Sequence, residues 1–380
     1  MKHLRFLNAF LESEKSGGLV LLVCALGSVL ISNSLLGESY QHLWHTTVLT
    51  KPVEFWINDG LMTIFFLQVG LEIEREIYIG ELNDFRKSLL PVIAAVGGMV
   101  VPAAIHFIFN KGLPSQNGYG IPMATDIAFS LGILSLLGNR VPFSFKVFLT
   151  ALAIIDDLGA ILIIALFYSS HFSILYLGLA AIVFIAMIVL NRMNVLAIWV
   201  YLLLGCAMWF CMHRSGIHAT ITGVLLAFAI PFRSGAAHAP STHLQHRLHR
   251  PVTFIILPLF ALANTALVIP TTFIDDLVSS NSLGIALGLM VGKPLGIFLF
   301  AVVGSWLGWC AIPANLRLPH LLGIGLLAGI GFTMSIFITL LAFNDEALIN
   351  SSKIAVLVGS LFSGVAGFII LRLLLNKANN

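Results

Sequence analysis

The sequence predicts an all-α membrane protein with about twelve transmembrane helices, and three observations carry that fold class. Of 380 residues, 58% are hydrophobic and only 10% are charged, too little polar surface for a soluble globule of this size. Apolar stretches recur along the whole length, each near the roughly 20 residues that a helix needs to cross about 30 Å of hydrocarbon. Lysine and arginine are unevenly shared between alternate connections, the asymmetry that orients a multi-pass chain.

The apolar stretches centre near Ala25, Phe65, Val96, Ala128, Leu158, Phe184, Leu203, Leu225, Leu259, Gly296, Gly329 and Phe362, with counts of about eleven or thirteen also compatible with the pattern. If both termini are cytoplasmic, the inner loops and helix ends collect Lys2, Arg5, Lys15, Arg75, Arg86, Lys87, Arg140, Lys146, Arg192, Arg233, Arg247, Arg250, Arg317, Arg372 and Lys377. Outside remain Lys51, Lys111, Arg214 and Lys353. That bias favours the even count and the inward termini. The net charge of +3 therefore reports topology, and the expected partner is the lipid bilayer, with no nucleic acid.

Lys2 and Arg5 begin the chain as a signal peptide would, but Glu12, Glu14 and Lys15 interrupt any apolar core before the first span, so no cleavage is expected. Leu4, Leu7 and Leu11 with Phe6 and Phe10 instead give residues 1–14 the apolar side of a helix lying along the interface. Residues 39–58 form an extracellular loop, in which Thr46-Thr-Val-Leu-Thr50 before Lys51-Pro52 suits a small hairpin. Such an edge can pair with its copy in another subunit, which makes a homodimer the expected oligomer. Residues 232–250 form a cytoplasmic loop holding His238, His243, His246 and His249. His246 and His249 lie about one helical turn apart, yet no cysteine or carboxylate of the loop completes a metal site, so the plain reading is a solvated polar loop. A modulating role of its imidazoles in pH response stays open. Cys24, Cys206, Cys211 and Cys310 fall in the expected spans without metal-ligand spacing and read as free thiols. The other connections are short, and residues 1–380 read as one polytopic membrane domain.

The chemistry is concentrated in a few charges that the membrane disfavours. Asp156 and Asp157 adjoin within Val147–Tyr168, a segment otherwise fit to cross the bilayer. A mid-membrane carboxylate costs roughly 2.5–3.5 kcal/mol on insertion scales, and two neighbours repel, so the arrangement calls for a bound cation or protons. Successive helix residues point about 100° apart; one aspartate can face an ion path while the other reaches a partner. Lys293, between Leu283–Gly292 and Pro294-Leu-Gly296, is the candidate partner, since a lone ammonium there must be paired or neutralised. The plain alternative is a buried ion pair that merely joins helices. A third acid, Asp126, follows Thr125 in a span interrupted by Gly118, Gly120 and Pro122. The run Gly323–Ser335 repeats that pattern of mid-span glycines followed by hydroxyl residues. Two broken spans meeting near the midplane free backbone groups for coordination. If the breaks face one another, Asp126 offsets the positive helix N-termini and Lys293 the negative C-terminal ends.

Together Thr125-Asp126-Ile-Ala-Phe, Ile155-Asp156-Asp157-Leu-Gly-Ala, Leu257-Pro-Leu-Phe-Ala-Leu-Ala-Asn264, Gly292-Lys293-Pro-Leu-Gly and Gly329-Ile-Gly-Phe-Thr-Met-Ser335 resemble the NhaA-type sodium/proton antiporters, from the first residues to the last span. This family is itself a standard example of inverted repeats with crossed discontinuous helices, and the resemblance implies that architecture here. It further implies Asp157 as the principal sodium ligand, Asp156 as its neighbour paired with Lys293, and Thr125 and Asp126 at the crossing. Asp59 matches an acid at the outer end of the second span. Glu72 and Glu76, on one helical face, fall where such proteins carry an acidic, pH-responsive funnel, although a solvated helix end explains them equally well. His218 matches a position linked to pH response; a packed or hydrogen-bonded histidine is the alternative. At Gln245 family members can carry glutamate, which puts any sensing through that carboxylate in doubt. The implied activity is exchange of external protons for cytoplasmic sodium or lithium, pH-regulated and electrogenic, in a bacterial inner membrane, with the ions as cargo and no cofactor.

Other classes fit less well. An organic-ion carrier would use Lys293 to hold a substrate carboxylate, but two adjoining acids argue for a cation. A channel conducts through sites that bind weakly, unlike acids tied to a lysine. An intramembrane aspartyl protease brings its two acids from separate helices, and neither Gly-x-Gly-Asp nor His-Glu-x-x-His occurs in the chain.

Overall fold

Inside a bilayer every backbone polar group must find its partner within the protein, and apolar runs therefore become helices. The computed structural model describes residues 14–80, 83, 85–168, 173–232, 239–271, 273–313 and 316–377. Of the expected interfacial helix over residues 1–14, all but Glu14, which begins the helix Glu14–Ser32, lies outside the described residues. The chain is an all-α membrane protein: each apolar stretch is helical at its centre except at Gly329, which lies in a break. Among the described residues five helices are long and apolar enough to cross a membrane, or up to eight if each helix pair bent at a short break is one span. The remaining stretches are short or interrupted: Ile221–Ala229 has 9 residues, and Leu257–Asn264 has 8 and continues a π turn at Val252–Ile256. Among the described residues the only strands are Thr47–Val48 and Lys51–Pro52, paired antiparallel, with Leu49 at φ 60° in the turn.

Contacts divide the chain into two compact units, one of Met1–Gly37, Asp84–Ala160 and Asn264–Asn380, the other of Glu38–Asn83 and Ile161–Ala263. In the first, the helix Phe85–Asn110 packs along the helix Ser280–Trp306. A Cβ on Gly296 would stand 2.1 Å from the Gly97 carbonyl oxygen, and one on Gly97 would stand 2.3 Å from that of Gly296. The backbones therefore touch, as small residues allow in membrane helices, and Lys293, less than one turn away, is fully buried. A π turn at Gly288–Gly292 immediately precedes this lysine. One extra residue in a turn rotates every later side chain by about 100° around the helix axis, which helps set where Lys293 points.

Two spans of this unit are broken. Pro114–Met123, a 3₁₀ segment, and the helix Ile127–Leu136 meet at 45°; the helices Leu318–Ala328 and Phe332–Ala342 meet at 53°. Gly118, Gly120 and Pro122 lead into the first break and Gly329 and Gly331 form the second, where a regular helix loses its ladder of hydrogen bonds.

In the second unit the helix Met62–Tyr78 crosses Ile221–Ala229 at Gly223, whose added Cβ would fall 2.2 Å from the Thr63 carbonyl oxygen. The helices Ile174–Arg192 and Ile198–Ser215 pair over a core that includes Met187, Tyr201 and Met208, and the second ends at Gly216 in the left-handed region, φ 86°. One expectation is corrected in this unit. The stretch read as a solvated polar loop over residues 232–250 contains a helix, Pro240–Pro251, with proline in its first turn, where the missing N–H costs nothing. Ser241, Leu244 and Gln245 are buried on its inner side, so an amphipathic pattern was present beneath the polar composition. Residues 233–238, with His238, lie outside the described residues. A smaller correction concerns Cys310, which comes after the helix Lys293–Trp306 rather than lying in it; all four cysteines are free.

Candidate functional site

The two breaks of the first unit hold each other together. Across the gap, the Asp126 amide donates to the Ile330 carbonyl at 2.7 Å, Thr125 Oγ1 to the Ala328 carbonyl at 2.9 Å, and Ser130 Oγ to the Leu327 carbonyl at 2.8 Å. Groups freed where one helix stops are thus met by side chains and amides of the other, which answers the demand that buried backbone be paired.

Asp126 serves the starts of both half-helices. Its Oδ1 caps Ile127–Leu136 by accepting from the Phe129 amide at 3.0 Å, and its Oδ2 accepts from the Thr333 amide at 3.2 Å and from the Thr333 hydroxyl. A carboxylate at two helix N-termini lies where partial positive charge accumulates. Lys293 lies at an opposite kind of end: its Nζ donates to the carbonyl of Met123, the last residue of the 3₁₀ segment. The same ammonium stands 2.9 Å from Asp156 Oδ2, with both side chains withdrawn from solvent. Asp156 Oδ2 also accepts from Thr125 Oγ1 at 2.8 Å, whereas Asp156 Oδ1 is buried without a hydrogen-bond partner among the described residues.

One site therefore gathers Thr125 and Asp126 of one broken span with Asp156, Asp157 and Lys293 of two continuous helices, all at most 2% exposed, while the other broken span supplies Thr333 and backbone carbonyls. Asp156 and Asp157 with the Lys293 ammonium carry one net negative charge when all three are ionised; Asp126 adds a second, which lies against the two helix N-termini. Carboxylate and hydroxyl oxygens in a closed setting suit a hard cation, and no group of three or more His, Cys, Asp or Glu able to hold a metal ion occurs among the described residues.

The other sequence candidates lie in the second unit and are not gathered in one place. Asp59 sits in a π turn, Trp56–Leu61, and its carbonyl accepts from Thr63 Oγ1. Glu72 and Glu76 lie further along the same run of helix, Glu72 about 20 Å from Asp59 at 1.5 Å per residue. Gln68 Nε2 donates to Glu72 Oε1 at 2.8 Å, and Arg75 pairs with Glu76 at 2.9 Å. Glu72 also interacts electrostatically with His249 and Glu76, so the helix Pro240–Pro251 supplies a neighbour that the polar-loop reading did not place. Gln245, in that helix, is buried. His218 is half-buried, with Nε2 at 2.9 Å from the Tyr168 carbonyl.

Sequence reasoning did not assign Thr333, although it stands among the hydroxyl residues after the glycines of the second break. The carbonyls of Met123, Ala328 and Ile330 were beyond its reach, because a backbone carbonyl leaves no residue-type signature.

The sequence model of the family described as Na+/H+ antiporter 1 matches residues 8–371. The chain belongs to the Na+/H+ antiporter 1 family. The match runs through both broken spans and both charged helices of the site. Curated relatives of this family align almost end to end. A Na(+)/H(+) antiporter NhaA of Cytophaga hutchinsonii is 56% identical over 377 residues, 99% of this chain and 97% of that protein. Its counterpart from Flavobacterium psychrophilum is 53% identical over 377 residues, covering 99% and 98% of the two chains. One from Dechloromonas aromatica is 56% identical over 364 residues, covering 95% and 94%.

Proposed function

We propose that this chain is a secondary transporter, and not an enzyme, that exchanges external protons for cytoplasmic sodium or lithium at Asp156 and Asp157. Membership of the antiporter family and the naming of its relatives support exchange of these ions. The observation that carries the site assignment is the burial of two adjacent carboxylates beside a single ammonium, held where two broken spans meet. The two aspartates beside Lys293, short of one positive charge, take a sodium ion or a proton, and either occupant makes the other unnecessary. Competition of that kind enforces exchange, because one cargo must leave before the other binds.

The contacts suggest how occupancy is transmitted. Thr125 has one hydroxyl proton and two acceptors within reach, Asp156 Oδ2 and the Ala328 carbonyl. While Asp156 is ionised, its charge attracts that proton and the ammonium of Lys293. Once Asp156 is protonated, it can donate to Thr125, whose own proton then turns to Ala328, at the end of the half-helix Leu318–Ala328. Protonation thereby loosens the Asp156–Lys293 pair and tightens a contact between the breaks, a two-state element that both ions bias. With Asp157 and the Asp156–Lys293 pair each able to move a proton, more than one proton crosses per sodium and the cycle is electrogenic. Protons exclude sodium at acid pH, so exchange idles there and runs at alkaline pH, with Glu72, Glu76, Asp59 and His218 as candidates for the entry path or its regulation. The family and the helical spans support a bacterial inner membrane, and the distribution of Lys and Arg supports cytoplasmic termini.

Purified protein in sealed proteoliposomes tests this reading. An imposed sodium gradient should drive protons the opposite way, progressively less as the medium is acidified, and the rate should respond to a clamped membrane potential. Movement of both ions in one direction, or of neither, would overturn the exchange. Indifference to the potential would remove its electrogenic part.

A further inference from the structure

The first unit carries a deep apolar groove of about 910 Å³ between the helix Glu14–Ser32, the half-helix Ile127–Leu136 and the long helix Glu346–Lys377. The groove runs past Ile330 and Phe332 at the second break and past Phe129, whose amide is held by Asp126. At one end it shares Leu136 and Phe368 with a second, basic depression. There Arg140 and Arg372 are both exposed, Arg140 Nη1 donates to Asn376 Oδ1 at 2.7 Å, and no carboxylate lines the depression among the described residues. An apolar channel thus opens onto two guanidinium groups, at the end of the bundle that the Lys and Arg distribution assigns to the cytoplasm.

We infer that this groove is a binding site for one anionic phospholipid of the inner leaflet, its phosphate held by Arg140 and Arg372 and an acyl chain lying along the groove. Guanidinium forks match phosphate oxygens in geometry and charge, and basic pockets between membrane helices on the cytoplasmic side are suited to acidic headgroups. The apolar length accounts for a lipid rather than free phosphate, since nothing but hydrocarbon complements it. The bound chain rests against the residues that shape both breaks, so the lipid contacts the ion site's scaffold without touching the ion site. The inference requires the membrane setting alone and stands apart from the identity of the transported ions.

The test is lipid retention by the full chain. Protein reconstituted into nanodiscs of mixed phosphatidylethanolamine and phosphatidylglycerol is released gently and weighed by native mass spectrometry. The intact chain should retain phosphatidylglycerol over phosphatidylethanolamine by about tenfold or more, the scale of a charge-assisted contact. The variant Arg140→Gln/Arg372→Gln should lose that preference. The variant Val365→Trp, which fills the exposed wall of the groove and leaves both arginines in place, should lose retention of either lipid. Equal retention of the two lipids by the intact chain, an undiminished preference in the double arginine variant, or normal retention in Val365→Trp would overturn the site. So would a groove covered by residues 1–13 or by a second copy of the chain with no lipid retained.

Discussion

Replacing both members of the Asp156–Lys293 pair should be gentler than replacing either one. Lys293→Met leaves Asp156, 1% exposed, with the Thr125 hydroxyl at 2.8 Å as its remaining partner. Asp156→Asn leaves a fully buried ammonium without its direct ion pair, with the Met123 carbonyl and the field of Asp157 as its remaining support. Breaking a buried pair from one side costs about 3–5 kcal/mol, because a charge is stranded, whereas exchanging the whole pair for uncharged groups of similar volume is close to neutral or stabilising. The double variant should therefore fall within about 1 kcal/mol of the intact protein, and the cycle should show a coupling of at least about 3 kcal/mol, more than a hundredfold in the folded-to-unfolded ratio. Denaturant unfolding in lipid-supplemented micelles, followed by tryptophan fluorescence, measures all four corners of the cycle. If the two single losses simply add in the double variant, the side chains do not act as a pair and the reasoning fails. The double variant also separates stability from transport. With Asp157 as the carboxylate left to alternate between sodium and a proton, residual exchange should be one for one and blind to membrane potential.

Thr125→Val removes the hydroxyl shared by Asp156 and Ala328 and leaves a buried carbonyl without that donor, at a cost of about 1–3 kcal/mol; Thr125→Ser should restore both stability and exchange, and a failure of serine to do so would count against the relay. Gly296→Val places a side chain where the Gly97 backbone stands, and the thermal midpoint should fall by the equivalent of about 1–3 kcal/mol, together with exchange, since the packing that seats Lys293 is forced apart. Shortening the antiparallel pair Thr47–Val48 and Lys51–Pro52 should convert the expected homodimer to monomers on light scattering, whereas an unchanged native mass would dispose of edge pairing as its basis.

What could be read from residue types was the unusual charge. Lys293 in a long run without acids had to be paired, and Asp156 and Asp157 stood alone in another such run, so their meeting reflects the expense of isolated charge in hydrocarbon. The breaks were visible as glycine and proline followed by hydroxyl residues. Less visible was how the breaks are closed, because Met123, Ala328 and Ile330 contribute carbonyls, which every residue possesses. The π turns at Trp56–Leu61 and Gly288–Gly292 were hidden for a related reason: they shift the helix register by one residue without changing its composition. Pro240–Pro251 was misread because its polar face outweighed the few inward positions, Ser241, Leu244 and Gln245, that pack it down.

Proton release on sodium binding, measured by calorimetry in buffers of different ionisation enthalpy, bears most directly on whether one carboxylate site serves both ions. The intact chain at alkaline pH should give up protons as sodium or lithium binds, and Asp157→Asn should bind neither ion and release none. Sodium binding without proton release by the intact chain, or undiminished binding and release by Asp157→Asn, would contradict a shared site at this pair of aspartates.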